Sequence, residues 1–253
     1  MSDARAPRSS SAVAGATPPP GPWFQPSLTL VIPSFNEAEN LPQVLPAARD
    51  FVAATCRDGR ILVIDDGSSD DTPRVLAAYA DDPRVRVIRH PQNRGLTAAL
   101  RTGFFAADSE YVTWIPADGQ IPLSGVAKIL AAGEGADLTL STYYRRPDGL
   151  VRATMSKAVR LMMQVATGLR DRIEGPYMFR RALLDQLSLV SQTSAGSIGL
   201  EIAVKARAAG KRIATTEIEC APRLAGHSKV ANLRNIATYF VEIYRIRRSI
   251  QRR

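Results

Sequence analysis

Cysteine is scarce in this chain. Cys56 and Cys220 stand far apart, with no CxxC pair and no Cys/His cluster, which excludes a disulfide scaffold and a zinc module and fits a cytosolic compartment. Long apolar runs are missing too. None approaches the roughly 18 residues that a bilayer crossing takes, and the first residues lack the apolar core of a signal peptide, so neither a span nor a leader is expected. There is no GxGxxG after the first apolar strand and no GxxxxGK[ST] anywhere, which argues against a dinucleotide oxidoreductase and a P-loop NTPase. Aromatic residues make up 6%, and no basic stripe interleaves with them, so nucleic acid is not an expected partner. What is present is an ordinary globular composition, 45% hydrophobic and 23% charged over 253 residues, enough for one or two domains.

The net charge of +9 is unevenly placed. Residues 1–26 are rich in Ser, Ala and Pro, include Thr17-Pro-Pro-Pro-Gly-Pro22, and carry little to bury; they are expected to be a disordered tail. Residues 231–253 hold six arginines, Arg234, Arg245, Arg247, Arg248, Arg252 and Arg253, against Glu242 alone. Between them Leu233, Ile236, Ala237, Phe240, Val241, Tyr244 and Ile250 recur at helical spacing. That is the pattern of a basic amphipathic helix, either adsorbed to an anionic membrane surface or packed on its own domain.

The intervening body, residues 27–230, alternates apolar strands with helical stretches. Strands are expected at Leu28–Ile32, Arg60–Ile64, Arg84–Ile88, Tyr111–Ile115 and Asp137–Ser141, with helices over Asn40–Thr55, Thr72–Ala80 and Gly95–Ala107. Such alternation predicts an α/β fold, a mostly parallel central sheet flanked by helices. Right-handed crossovers then bring every strand's C-terminal end to one edge. Asn36-Glu37, Asp65-Asp66 and Asp118 all follow such strand ends. Carboxylates crowded on one rim repel each other unless a cation or a hydrogen-bonding ligand joins them, which marks that rim as a ligand site.

Four segments carry a resemblance: Val31-Ile-Pro-Ser-Phe-Asn-Glu37, Val63-Ile-Asp-Asp-Gly-Ser-Ser-Asp70, Asn93-Arg-Gly95 and Ala117-Asp-Gly-Gln120. In order and spacing they resemble the family 2 glycosyltransferases with a single Rossmann-like GT-A domain. Leu150-Val-Arg152 with Ser156-Lys157, Gly175…Phe179-Arg-Arg181, Gly199-Leu-Glu-Ile202 and Arg223-Leu-Ala-Gly-His-Ser-Lys229 resemble its polyprenyl-phosphate, dolichyl-phosphate mannose synthase-like branch. The resemblance covers about residues 28 to 230. It implies that Pro33, Phe35, Asn36, Glu37, Asp65 or Asp66, Asn93, Gly95 and Asp118 hold a UDP- or GDP-sugar. Asp118 and Gln120 would ligate Mg2+ or Mn2+, a hard cation suited to oxygen donors. The sequence departs from the family's DxD where Pro116 replaces the first aspartate, which lowers the expected metal affinity. Thr142-Tyr143-Tyr144 likewise has Tyr where the branch commonly has Arg, although Arg145 is close by, and Glu174-Gly-Pro-Tyr177 lacks the usual Gly-Phe-Arg.

The implied reaction is inverting transfer of the sugar to a polyprenyl monophosphate at the cytoplasmic face of a membrane. Arg152, Ser156, Lys157, Arg223, Ser228 and Lys229 would bind the acceptor phosphate, with Asp118, Arg223 and Lys229 the catalytic set. The methionine-bearing stripe of Lys157–Val165 would meet the lipid chain. Two alternatives remain open on the residues alone. One is a soluble family 2 enzyme acting on a hydroxyl, with His227 or Glu201 as base; the other is a weak nucleotide-sugar binding module, motivated by Pro116. Glu201 is also placed to pair with Lys205 one helical turn on.

Overall fold

A computed structural model describes residues 24–145, 172–192, 197–222, 224 and 243–249. The first half is the expected alternation. β1 (Ser27–Ser34), β2 (Asp58–Asp65), β3 (Val85–Arg89) and β4 (Tyr111–Trp114) are interleaved with α1 (Leu41–Thr55), α2 (Thr72–Ala77) and α3 (Leu96–Ala106). β1 lies between β2 and β4, parallel to both, and β3 flanks β2. The helix expected over Thr72–Ala80 stops at Ala77, and Ala78 to Ala80 continue as turn.

The second half holds the strand expected at Asp137–Ser141 and adds elements that apolar runs alone did not reveal. α4 (Leu123–Ala132) precedes β5 (Leu138–Arg145); then come β6 (Met178–Arg180), α5 (Ala182–Gln186), α6 (Ser197–Ala208) and β7 (Ile213–Glu219). The seven strands order as β3-β2-β1-β4-β6-β5-β7. β6 is inserted antiparallel between β4 and β5. The expectation that every strand ends on the same edge is therefore corrected for β6. The right-handed crossover rule links parallel neighbours, and an antiparallel pairing lies outside it.

Both faces of the sheet are covered, which is why the parallel strands read as continuous apolar runs. Leu28, Leu30 and Ile32 of β1, with Ile61 and Val63 of β2, pack under α1 and α4. Val31, Leu62, Ile64 and Val112 pack under α3 and α6 on the other side. Ile243 joins this second layer, and Ile246 is fully buried. Within 243–249 the tail thus turns its apolar side onto its own body, while Tyr244, Arg245, Arg247 and Arg248 remain exposed. No helix among the described residues is long and apolar enough to cross a membrane.

Candidate active site

Three parallel strands deliver the acidic residues to one rim. The Asp66 N–H donates to Ser34 O at 2.8 Å, and the Ile115 N–H donates to Val31 O at 3.1 Å. Asp65 and Asp66 therefore stand on one side of the β1 terminus and the Asp118 loop on the other. With strands about 4.8 Å apart, β2 and β4 are separated by roughly 10 Å, with the Phe35–Glu37 turn between them.

That turn is sewn to the loop after β2. Asn36 has a left-handed backbone, φ 56°, which asparagine tolerates better than most residues. Its N–H donates to Ser68 Oγ and its Oδ1 accepts from the Ser69 N–H, both at 2.9 Å. The Glu37 N–H donates to Thr72 Oγ1 at 2.9 Å, and the Ala38 N–H to Asp70 Oδ2 at 3.3 Å. Glu37 Oε2 in turn accepts from Asn40 Nδ2 at 2.6 Å. Asn36 thus acts through its backbone and amide to shape the rim. Pro33 sits buried at the C-terminal end of β1, and Phe35 is half-buried.

Asp65 and Asp66 are adjacent and do different things, because successive strand residues point to opposite faces. The Asp66 carboxylate is saturated by its own fold. Oδ1 meets His90 Nδ1 at 2.6 Å, and the pair of oxygens accepts the Arg94 and Gly95 N–H groups at 2.8 to 3.2 Å. His90 Nε2 reaches Thr102 Oγ1 at 2.9 Å, so the network ties the ends of β2 and β3 to α3. Gly67, at φ +73°, lies so close to this loop that a Cβ would stand 2.4 Å from the Gln92 carbonyl carbon. Asp65 faces the α2 side and is 1% exposed. Its Oδ1 accepts the Ser68 N–H at 2.9 Å. Its Oδ2 has no hydrogen bond; Arg89 Nε stands 3.2 Å away and pairs with it by charge, outside hydrogen-bond geometry. Asp65 also lines a cleft of about 470 Å3 between α2 and β3, with Leu76, Tyr79 and Val87 among its walls.

On the other side of β1, Asp118 is buried, and its Oδ1 accepts the Gln120 N–H at 3.1 Å. Gln120 Nε2 approaches Ala221 O at 3.4 Å, so the opposite end of the amide, Oε1, is the atom able to ligate a hard cation. Among the described residues no three His, Cys, Asp or Glu side chains cluster as a metal cage. One carboxylate and one amide oxygen fit a cation that takes its remaining oxygens from a diphosphate and water, the usual mode for Mg2+. Pro116 contributes no donor atom. Asn93 is exposed beside Gly95, whose φ of 87° opens α3.

Glu201, open between two roles from the sequence, is structural. It is fully buried on α6, pairs with Lys205, and accepts the N–H groups of Val190 and Ser191, both at 2.7 Å, and the Ser191 hydroxyl. Sequence reasoning named the pairing with Lys205; the two backbone donors come from a loop that no periodicity announces. The expected acceptor residues Arg152, Ser156, Lys157, Arg223, Ser228 and Lys229, the Lys157–Val165 stripe and His227 lie outside the described residues.

Comparison with known proteins gives the family and the fold. A model of the glycosyl transferase family 2 matches residues 29–199. An undecaprenyl-phosphate 4-deoxy-4-formamido-L-arabinose transferase from Proteus mirabilis is 31% identical over 217 residues, covering 83% of this chain and 64% of that protein. The Klebsiella pneumoniae protein of the same name is 32% identical over 168 residues, covering 63% and 50%. The chain thus spans between half and about two thirds of the length of these relatives. Among solved structures, a mannosyltransferase from Pyrobaculum calidifontis with GDP-Man and Mn2+ superposes with a TM-score of 0.64 at 21% identity, over 92% of this chain and 66% of that one. Glucosyl-3-phosphoglycerate synthase from Mycobacterium tuberculosis gives 0.64 at 20%, over 89% and 80%. The likeness at this identity establishes a shared GT-A fold, and the matched family model, covering more than half of the sequence, places the chain in glycosyl transferase family 2.

Proposed function

We propose that this protein transfers a sugar from a UDP- or GDP-sugar to a polyprenyl monophosphate, with inversion at the anomeric carbon. The observation that carries the reading is the buried Asp65, which lines an apolar cleft on the rim that also holds Asp118 and whose Oδ2 lacks a hydrogen bond. A carboxylate oxygen in that state suits the ring N–H of a uracil or guanine, and Arg89 beside it suits a base carbonyl. Phe35 would lie against the base, and the diphosphate would extend across β1 toward Asp118. A divalent cation bound there with the diphosphate, held by Asp118 and Gln120, would neutralise charge on the leaving group.

The chemistry then needs little proton traffic. A phosphate monoester has a second pKa near 6 and is mostly a dianion at neutral pH. One of its oxygens forms the bond to the anomeric carbon while the carbon–oxygen bond to the diphosphate breaks, and the electron pair leaves with the nucleoside diphosphate. The protein's part is to position two anions and balance their charge, the role proposed for Arg152, Ser156, Lys157, Arg223, Ser228 and Lys229. Of the two bases left open on the residues alone, Glu201 is committed to a buried network, and His227 lies outside the described residues. That favours an acceptor that arrives already ionised. The relatives' names, which specify undecaprenyl phosphate, support the same acceptor class. The proposal extends to the cytoplasmic face of a membrane, where the exposed Tyr244, Arg245, Arg247 and Arg248 would meet anionic headgroups.

A thermal-shift panel of UDP- and GDP-sugars with and without Mn2+ tests the donor, because a ligand that binds only the folded state raises the unfolding temperature. Radiolabelled sugar from the stabilising donor should then partition into organic solvent with undecaprenyl phosphate. No stabilisation by any nucleotide-sugar, or label transferred only to water-soluble acceptors, overturns the reading.

A further inference from the structure

The loop after β4 does not stand alone. Two backbone hydrogen bonds sew it to the segment that leaves β7: the Ala221 N–H donates to Gln120 O at 2.8 Å, and the Leu224 N–H donates to Asp118 O at 3.1 Å. Gln120 Nε2 reaches back to Ala221 O. Between those two bonds lies Gly119, with φ +72°, and the place where a side chain of its own would stand is already filled. A Cβ built there would lie 2.4 Å from Leu224 Cδ1 and 2.6 Å from its Cγ. Leu224 also packs, half-buried, against the core layer beneath α1 and α4. An edge strand's exit normally runs out into solvent; here it is fastened to the loop that carries Asp118 and Gln120.

We propose that Leu224 is a positioning residue. Seated over Gly119, it sets the Asp118–Gln120 loop against Ala221, Pro222 and Leu224, so that the donor-side loop is registered with the chain that leaves β7. This rests on the proposed function, in which Asp118 and Gln120 face the diphosphate and Arg223 belongs to the acceptor side. Two features of the contact are matched. The left-handed backbone at residue 119 is one that glycine adopts without strain, and its missing side chain is what admits the leucine. Chemistry that depends on two anions held in line is sensitive to such registration, since displacing a reacting group by about 1 Å can cost on the order of a hundredfold in rate.

The test uses the full chain, with Mn2+ plus UDP or GDP, whichever the wild type binds, and undecaprenyl phosphate in detergent as acceptor. Leu224→Ala should lower kcat about 10- to 100-fold and weaken binding of Mn2+ with the nucleotide about 10-fold at temperatures where the variant is folded. Leu224→Met, which refills the space over Gly119, should recover to within about threefold of wild type. Gly119→Ala, which displaces the leucine from the other side, should reproduce the Leu224→Ala losses. Wild-type nucleotide affinity and kcat in Leu224→Ala, or equal impairment in the Ala and Met variants, overturns the proposal. Failure of the wild-type protein itself to bind any nucleotide overturns the functional reading beneath it, a distinct result.

Discussion

Glu201 and Lys205, one turn apart on α6, form an ion pair sealed inside the protein. Lys205 Nζ also donates to Ser188 O, while Glu201 accepts from Val190 and Ser191, so one carboxylate and one ammonium hold the 188–191 loop against the helix. Removing one partner leaves the other buried and uncompensated, which costs about 3–5 kcal/mol. Lys205→Met should therefore lower the free energy of urea unfolding by about that much. Glu201→Leu with Lys205→Met should recover only part of it, because two backbone N–H groups would still lack their acceptor. A loss below about 0.5 kcal/mol in Lys205→Met would show that the pair does not hold the loop.

Asp65 and Asp66 should separate cleanly under mutation. Asp66 anchors two backbone N–H groups and His90, so Asp66→Ala should destabilise the fold by about 2–3 kcal/mol, the cost of stranding charge-assisted hydrogen bonds. Asp65→Asn keeps the size and the acceptor for Ser68, and should leave thermal unfolding nearly unchanged. Its binding of the stabilising nucleotide should fall 10-fold or more, since with its oxygen kept for Ser68 the amide presents a donor, not an acceptor, at the position of Oδ2. Titration of each variant with the nucleotide, beside its unfolding curve, checks the division. Equal effects of both substitutions on stability would refute it.

Much of this was legible in the chain. The strands β1 to β4 emerge within one or two residues of their observed bounds: β1, β2 and β4 because a strand buried on both faces reads as an apolar run that ends abruptly, and the edge strand β3 because its Val and Ile residues stand among arginines at strand spacing. β6 and β7 did not. Met178–Arg180 is three residues long, and Ile213–Glu219 is a half-exposed edge strand whose Thr and Glu residues break the apolar run. α6 is buried nearly all round from Ser197 to Ala206, so it shows little of the one-sided stripe that marks a surface helix. The division of labour between Asp65 and Asp66 did carry a signal: Ile61 and Val63 alternate with Leu62 and Ile64, which already assigns the two aspartates to opposite faces. Which face holds a partner depends on His90 and the N–H groups of Arg94 and Gly95, about 25 residues further on, and no local pattern supplies that.

Thiol chemistry offers a test of packing at the foot of the sheet. Burial raises the Cys56 pKa, against a smaller lowering by the Thr55 hydrogen bond; the charges of Asp58 (raising) and Arg84 (lowering) act less still. The unfolded thiol therefore ionises before the folded one. Stability from this group is present below the unfolded pKa and is lost as pH rises through the folded value. Under native conditions at pH 8, iodoacetamide should modify Cys220, which is half-buried, at least 10-fold faster than buried Cys56. In urea the two should react at similar rates. Mass spectrometry of the labelled peptides decides the order, and faster reaction at Cys56 in the native protein would contradict the packing.

The tail separates a membrane contact from a structural one. Deleting residues 231–253 removes Ile243 and Ile246 from the protein's own core, so loss of vesicle binding in that truncation would not report on lipid. Replacing Arg245, Arg247 and Arg248 by Gln leaves both isoleucines in place and changes only exposed positions. Each arginine near an anionic surface contributes about 1 kcal/mol, screened within a Debye length of about 10 Å at 0.1 M salt. The triple variant should unfold at nearly the wild-type temperature yet bind phosphatidylserine-containing vesicles about 100-fold more weakly at low ionic strength. The gap should close as salt is raised, because screening removes the same term from the wild type. Flotation of the variant indistinguishable from wild type at low salt would place any membrane contact on another surface.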